Sequence, residues 1–289
     1  ILENNPHINR IQTVRLKEAK KERSVICFFK EIIKIRKLTK YDLVIDVQNL
    51  LKSAIVARMI PSEKTIGLDK DSAREKFASI FYSHKYSIDH SLNIITRNIS
   101  IINKALNLDV TNKDIDKKTP FLFFKNYSFD EYISKDKQNI LIVPGASFGS
   151  KMYPPEKYAQ ILNKINANFI IIWGSVSEKL IAEEIKILSP KVYITNSLSL
   201  DKLKALTARI DLVIGSDTGP VHMAWALNKP SITLFGPTPG YRNSYLTTTN
   251  QIIESSSKVN PYKINKKDFS IKNIKVDDVV KMAEDLLKT

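Results

Sequence analysis

One cysteine, Cys27 in "VICFFK", is all that the 289-residue chain contains. An internal disulfide is excluded and a reducing compartment fits. The apolar neighbours make Cys27 a core thiol rather than a nucleophile. No apolar run approaches the roughly 18 residues of a membrane span. The chain has neither H-E-x-x-H nor paired cysteines, which argues against zinc. No G-x-G-x-x-G follows any strand-like run, which disfavours a dinucleotide-binding dehydrogenase, and "GASFGSK" lacks the glycine spacing of a P-loop. There is no solenoid-period repeat. The start, "ILENNPHINRI", lacks the basic-then-apolar profile of a secretory leader. It reads as a helix end, an Asn-Pro turn and a short strand.

Positive charge, by contrast, is abundant: the net charge is +15 and the pI is near 9.6. Such a surface attracts nucleic acid, anionic membrane or acidic substrates, and charge alone does not choose among them. A Lys-, Ile- and Asn-rich composition accounts for it equally well. The densest runs, "RLKEAKKER" and "KEIIKIRKLTK", do not interleave aromatics as a single-strand binder would. Nucleic acid is therefore not an expected partner, whereas weak attraction to a membrane surface remains open.

Six apolar runs end in turn chemistry: "YDLVIDVQ" (41–48), "NILIVPGAS" (139–147), "NFIIIWGS" (168–175), "KVYIT" (191–195), "IDLVIGSD" (210–217) and "SITLFGPT" (231–238). Between the later ones lie helical patterns, "PPEKYAQILNKI" (154–165), "SEKLIAEEIKIL" (177–188) and "SLDKLKALTARI" (199–210), with "VDDVVKMAEDLLK" (276–288) at the end. This alternation predicts a parallel sheet covered on both faces. Ser177 and Ser199 are the expected N-caps, and Pro154 and Pro155 suit a helix start. The first half is less regular. It shows a helix at 49–60, a polar stretch from Pro61 to Ser87, and a helix at 93–108. The polar segment 109–138 places the domain boundary near residue 125, giving domains 1–125 and 126–289.

The strand ends carry the chemistry, because ligands of open α/β sheets bind beyond them. "GSDTGPVHMAWAL" (215–227) stops a buried strand on Asp217, Thr218 and Gly219 and opens a helix containing His222. A helix start there suits an anion, although an N-cap with a histidine packed nearby explains the same residues. Ser147 and Lys151 follow another strand; Lys151 either compensates a phosphate or is solvated. Glu178 either accepts ribose hydroxyls or is a first-turn acid. Together these residues have the parts a nucleoside diphosphate needs.

"SDTGPVHMAWAL" followed by "PSITLFGPT" resembles the C-terminal motif of the lipopolysaccharide heptosyltransferases (glycosyltransferase family 9), ADP-heptose enzymes of GT-B fold. "YDLVIDVQNLLKSAIVAR" and "GLDKDSAREKFASIFYSHKYSI" are similar to the subgroup that adds the first heptose to Kdo, and the likeness spans about residues 40 to 240. It implies two doubly wound Rossmann-like domains facing a cleft, inverting transfer to Kdo-lipid A, and no metal or cofactor. It further implies a cytoplasmic enzyme peripheral on the inner membrane, touching its anionic surface.

Carried over, Lys151 contacts the diphosphate and Glu178 the ribose. Thr218 and Gly219 hydrogen-bond the phosphates, while Asp217 holds heptose hydroxyls and acts with Lys151 in catalysis. His222 sits against the donor, Ser147 lies near the leaving group, and Arg74 faces the acidic acceptor. The chain departs from the pattern at Asn49, where "QG" is usual, and at Pro220. Family members also begin with a strand and a Gly-Asp turn bearing the general base, so that Asp is expected upstream of Ile1 and the N-terminal domain is expected to be truncated. Another nucleotide-sugar enzyme, such as a different core glycosyltransferase or an epimerase, and a non-enzymatic basic binder are the alternatives.

Overall fold

Short apolar runs bounded by Asn, Gly and Ser form strands here, and apolar residues spaced three and four apart form the helices between them. The computed structural model describes residues 1–15 and 25–288, apart from the side chains of residues 25 and 27–29. The Cys27 thiol and most of the basic run 15–23 thus lie outside the described residues. Two compact units result, Arg10–Lys117 and Ile1–Asn9 together with Lys118–Thr289.

In the first unit, α1 (Val25–Arg36) precedes β1 (Tyr41–Ile45), and α2 (Leu51–Met59) links β1 to β2 (Ser62–Leu68). β3 (His84–Tyr86), α3 (Ile94–Leu106) and α4 (Asn112–Asp116) follow. The sheet is parallel in the order β1-β2-β3. The stretch read as a polar connection therefore holds two strands and a 3-10 turn at Lys76–Phe81. Only the last four residues of β2 are buried, so its polar first half hid it.

Asp46, just beyond β1, accepts from the Gln48 and Asn49 amides at 2.9 and 3.1 Å, the Ser53 hydroxyl at 2.7 Å and the Tyr82 phenol at 2.8 Å. Asn49 has φ 52°, in the left-handed region that glycine tolerates best and asparagine next. That is why asparagine can stand where "QG" is usual. Its Oδ1 also accepts from the Leu68 amide at 2.6 Å, joining this turn to β2.

The second unit has six parallel strands: β4 (Asn139–Val143), β5 (Asn168–Ile171), β6 (Tyr193–Ile194), β7 (Leu212–Ser216), β8 (Ser231–Phe235) and β9 (Asn250–Glu254). Their order is β6-β5-β4-β7-β8-β9. This is a doubly wound sheet whose strand order reverses between β4 and β7. Connecting helices are α5 (Pro155–Lys164), α6 (Val176–Leu188), α7 (Leu200–Thr207), α8 (Gly219–Ala226) and α9 (Gly240–Asn243), with α10 (Val276–Leu287) last.

Alternate residues of β4 serve opposite faces. Ile140 and Ile142 pack with Tyr158, Ile161, Ala182, Ile185 and Val279, whereas Leu141 and Val143 pack with Leu206, Val221 and Ala224. Ser199 caps α7 as expected, but α6 is capped by Ser175, whose hydroxyl accepts from the Glu178 amide. Ser177 already lies inside that helix.

The boundary falls at 117/118 rather than near 125, and the first nine residues join the second unit. Hydrogen bonding explains both. The Phe121 amide donates to the Ala226 carbonyl, and the Lys125 amide to Asp201. Lys204, almost fully buried, pairs with Asp201 at 2.9 Å and donates to the carbonyls of Ile1, Glu3 and Phe123. Asn4 donates to Asp201 at 2.7 Å. These contacts hold residues 1–9 in turns, and residues 1–15 contain no strand, contrary to the reading of "ILENNPHINRI".

Gly67 is packed closely in the first unit, since a Cβ there would lie 2.1 Å from the Tyr82 ring, which Asp46 anchors. Gly67→Ala is expected to destabilise the protein by about 1–3 kcal/mol through overpacking. Urea unfolding checks this, and an unchanged midpoint would contradict it.

Candidate active site

At the β4/β7 switch point, adjacent parallel strands send their following loops to opposite sides and leave a crevice. Register places Val143 beside Gly215, so the loops after β4 and β7 start at the same level. The β4 loop carries Lys151 on a 3-10 turn, Gly149–Lys151. The β7 loop carries Asp217 and Thr218 into α8.

Lys151 Nζ meets Asp217 Oδ2 at 2.8 Å, and both side chains are about nine-tenths buried. The same oxygen accepts from Thr238 Oγ1 at 3.1 Å and Asn243 Nδ2 at 3.2 Å. Its partner Oδ1 accepts from His222 Nε2 at 3.1 Å. A carboxylate offers about four lone-pair positions, and Asp217 accepts four bonds. Burial by itself raises its pKa, but the His222 hydrogen bond and the Lys151 charge outweigh that and hold the carboxyl well below the usual range. Asp217 is thus ionised near neutrality and unsuited to taking a proton there.

Thr218 is the N-cap of α8, yet its side chain makes no capping hydrogen bond. A Cβ on Gly219 would meet nothing within 4 Å, so the space over this helix start is open. Pro220 falls in the first turn, where its missing N–H costs nothing. The departure there is structurally neutral.

Glu178 is drawn to the end of β4. A Cβ on Gly145 would fall 2.4 Å from its carboxyl carbon, and its Oε2 accepts from the Gly174 amide at 2.6 Å. The β5 and β4 turns therefore meet at this carboxylate, which is half-buried at the head of α6. Ser147 lies exposed on the β4 loop, four residues before Lys151. Lys151, Asp217 and His222 are brought into direct contact, and Thr218 and Gly219 follow in the chain. Arg74 is exposed in the other unit, beyond the end of β2.

Thr238 and Asn243 were not singled out from sequence. Thr238 stood in plain view in "GPT", but a threonine and an asparagine reaching back more than twenty residues to one carboxylate leave no local pattern. Among the described residues, no group of three or more His, Cys, Asp or Glu is placed to hold a metal ion. No described helix is long and apolar enough to cross a membrane.

The family profile of glycosyltransferase family 9 (heptosyltransferase) matches residues 32–274. The chain belongs to that family. It is a glycosyltransferase of GT-B fold, and a heptosyltransferase of the lipopolysaccharide core. Lipopolysaccharide heptosyltransferase 1 of Campylobacter coli is 35% identical over 99% of this chain and 86% of the relative. The enzyme of that name from Escherichia coli K12 is 28% identical over 71% of this chain, which spans 64% of that relative's length. Among solved structures, an E. coli heptosyltransferase with ADP aligns at TM-score 0.77 and 20% identity, covering 98% of this chain and 85% of the other. The family 9 glycosyl transferase of Veillonella parvula aligns at 0.76 and 18%, covering 99% and 85%. At those identities the likeness is one of fold.

A carboxyl held below its usual pKa stabilises the fold above its unfolded value of about 3.9, and that contribution fades as pH falls below it. This family 9 protein should therefore lose thermal stability from about pH 4 downward. The pH dependence should be shallower in Asp217→Asn, which cannot titrate there. Melting curves at pH 3 to 6 test this; parallel curves for the two proteins would rule out Asp217 as a source of the acid sensitivity.

Proposed function

We propose that this enzyme transfers heptose from ADP-heptose to the Kdo of Kdo-lipid A, the first heptose addition of the inner core. The buried Lys151–Asp217 pair at the switch point, beside the open start of α8, carries the donor half of this reading. A diphosphate there draws the Lys151 ammonium away from Asp217 and takes hydrogen bonds from Thr218 and the α8 N-terminus. Charge growing on the leaving diphosphate is then met by groups already in place. As Lys151 turns, Asp217 Oδ2 regains a position for a heptose hydroxyl. Glu178 takes the ribose hydroxyls, His222 packs against the donor, and Ser147 lies near the leaving group.

Support for the donor comes from the E. coli structures solved with ADP and with ADP-2-deoxy-2-fluoro heptose. Support for the acceptor comes from the relatives named heptosyltransferase 1. Arg74 offers a planar fork of donors for a carboxylate or phosphate of that acceptor.

The acceptor's lipid anchor would bring the enzyme to the anionic inner face of the inner membrane. Residues 10–117 hold 22 of the 45 Lys and Arg but only 13 of the 30 Asp and Glu. Phe77 and Ile80, 76% and 67% exposed beside Arg74 and Lys76, suit shallow contact with such a surface.

Transfer of radiolabelled heptose from ADP-heptose to a Kdo-lipid A acceptor tests the reading, and a folded enzyme that accepts only a heptosylated acceptor would replace it. Lys151→Ala should lower kcat by ~100- to 1000-fold, the usual effect of removing a preorganised charge-stabilising donor. Glu178→Ala should chiefly raise the donor KM, because ribose contacts are the same in ground and transition states. Arg74→Ala should raise acceptor KM while ADP affinity measured by calorimetry stays the same; the reverse result would remove Arg74 from the acceptor site.

A further inference from the structure

The segment Gly236–Asn243, "GPTPGYRN", follows β8 and belongs to neither loop of the β4/β7 crevice. Two glycines let it pack closely. A Cβ on Gly236 would fall 2.6 Å from Ile271 Cβ and 2.9 Å from Ile271 N. A Cβ on Gly240 would fall 2.7 Å from Glu254 Oε1, the oxygen to which the Gly240 amide donates at 2.8 Å. The Asn243 amide donates to the Pro239 carbonyl, closing α9. The segment is thus pinned at both glycines to β9 and to the turn before α10. From this fixed base Thr238 and Asn243 both reach Asp217 Oδ2.

Three donors converge on Oδ2, and one of them, Lys151, is the cation that a diphosphate would draw away. Once it leaves, Asp217 is a buried anion without its charge partner. Such a group is tolerated only if hydrogen bonds remain to hold it. Thr238 and Asn243 are neutral donors, so a diphosphate does not compete for them as it does for an ammonium.

We propose that Thr238 and Asn243 are positioning residues for glycosyl transfer: anchored on the Gly236–Asn243 segment, they hold the Asp217 carboxylate in place while Lys151 serves the donor diphosphate. The inference rests on the donor site proposed above. Neither residue touches the donor; each acts through Asp217.

The experiment is a pair of double-mutant cycles in the full chain, with kcat and donor KM for ADP-heptose as readouts. Thr238→Val and Asn243→Ala are each expected to lower kcat by roughly 10-fold, the scale on which small misplacements act, with donor KM changed less than threefold. Thr238→Ser, which keeps the hydroxyl, should retain wild-type kcat. In an Asp217→Ala background, Thr238→Val and Asn243→Ala should cost nothing further, because residues acting through one group are not additive. Melting temperatures identify any variant that does not fold; Asn243, half-buried on α9, then carries the test alone.

Losses that multiply with Asp217→Ala, or kcat within twofold of wild type in the folded variants, overturn the inference while leaving the activity intact. A wild type that binds ADP but transfers no heptose overturns the transferase reading and the inference together, whereas an active wild type with unaffected variants overturns the inference alone. A wild-type protein that neither transfers heptose nor binds ADP overturns both.

Discussion

Asp217 is a charge buried at the point where a doubly wound sheet changes direction, and a buried charge must be compensated or it unfolds its surroundings. Each element of the second unit's crevice answers to that requirement. The β4 loop tightens into a 3-10 turn and delivers Lys151. The first turn of α8 delivers His222, and the segment after β8 delivers Thr238 and Asn243. In the donor reading proposed above, the same Lys151 ammonium is the group that an anionic ligand takes over.

The glycines around this carboxylate do different work. Gly145, Gly236 and Gly240 are close approaches, where a methyl group would strike Glu178, Ile271 or Glu254. Gly219 is the opposite case: a Cβ there would meet nothing within 4 Å. Close packing at three of these glycines and open space at the fourth suit the donor site proposed above. The first unit shows the same economy on a smaller scale, with Asp46 collecting four donors and Gly67 making room for Tyr82. Asp46 thus ties its own turn to Ser53 of α2 and to Tyr82.

Much of the second unit was legible in the chain, because its strands are buried on both faces and read as continuous apolar runs. β4, β5, β7 and β8 fall within the runs that announce them, and α5, α6, α7 and α10 within three residues of their apolar periodicity. β2, β3 and β9 were not seen. Each is only partly buried, and "SEKTIGL" and "NQIIE" show neither a long apolar run nor clean alternation. Ser175 replaced Ser177 as a cap because two serines two residues apart are equivalent as text, and only the Glu178 amide distinguishes them. The first nine residues joined the distant unit through Lys204 and Asp201, a contact spanning some two hundred positions.

What the sequence determined by itself was the parallel α/β character, the strand-end residues Lys151, Glu178 and Asp217 to His222, and the likeness to family 9. These follow from local patterns: apolar runs, turn residues, and short motifs whose spacing is set within one loop. Tertiary structure alone decided that Asp217 accepts four bonds, that Thr238 and Asn243 are two of the donors, and where the two units divide. Those facts depend on which loops the sheet order brings side by side. Strand order is a property of the whole packed unit, since each strand chooses its neighbour by the faces and edges the others leave exposed.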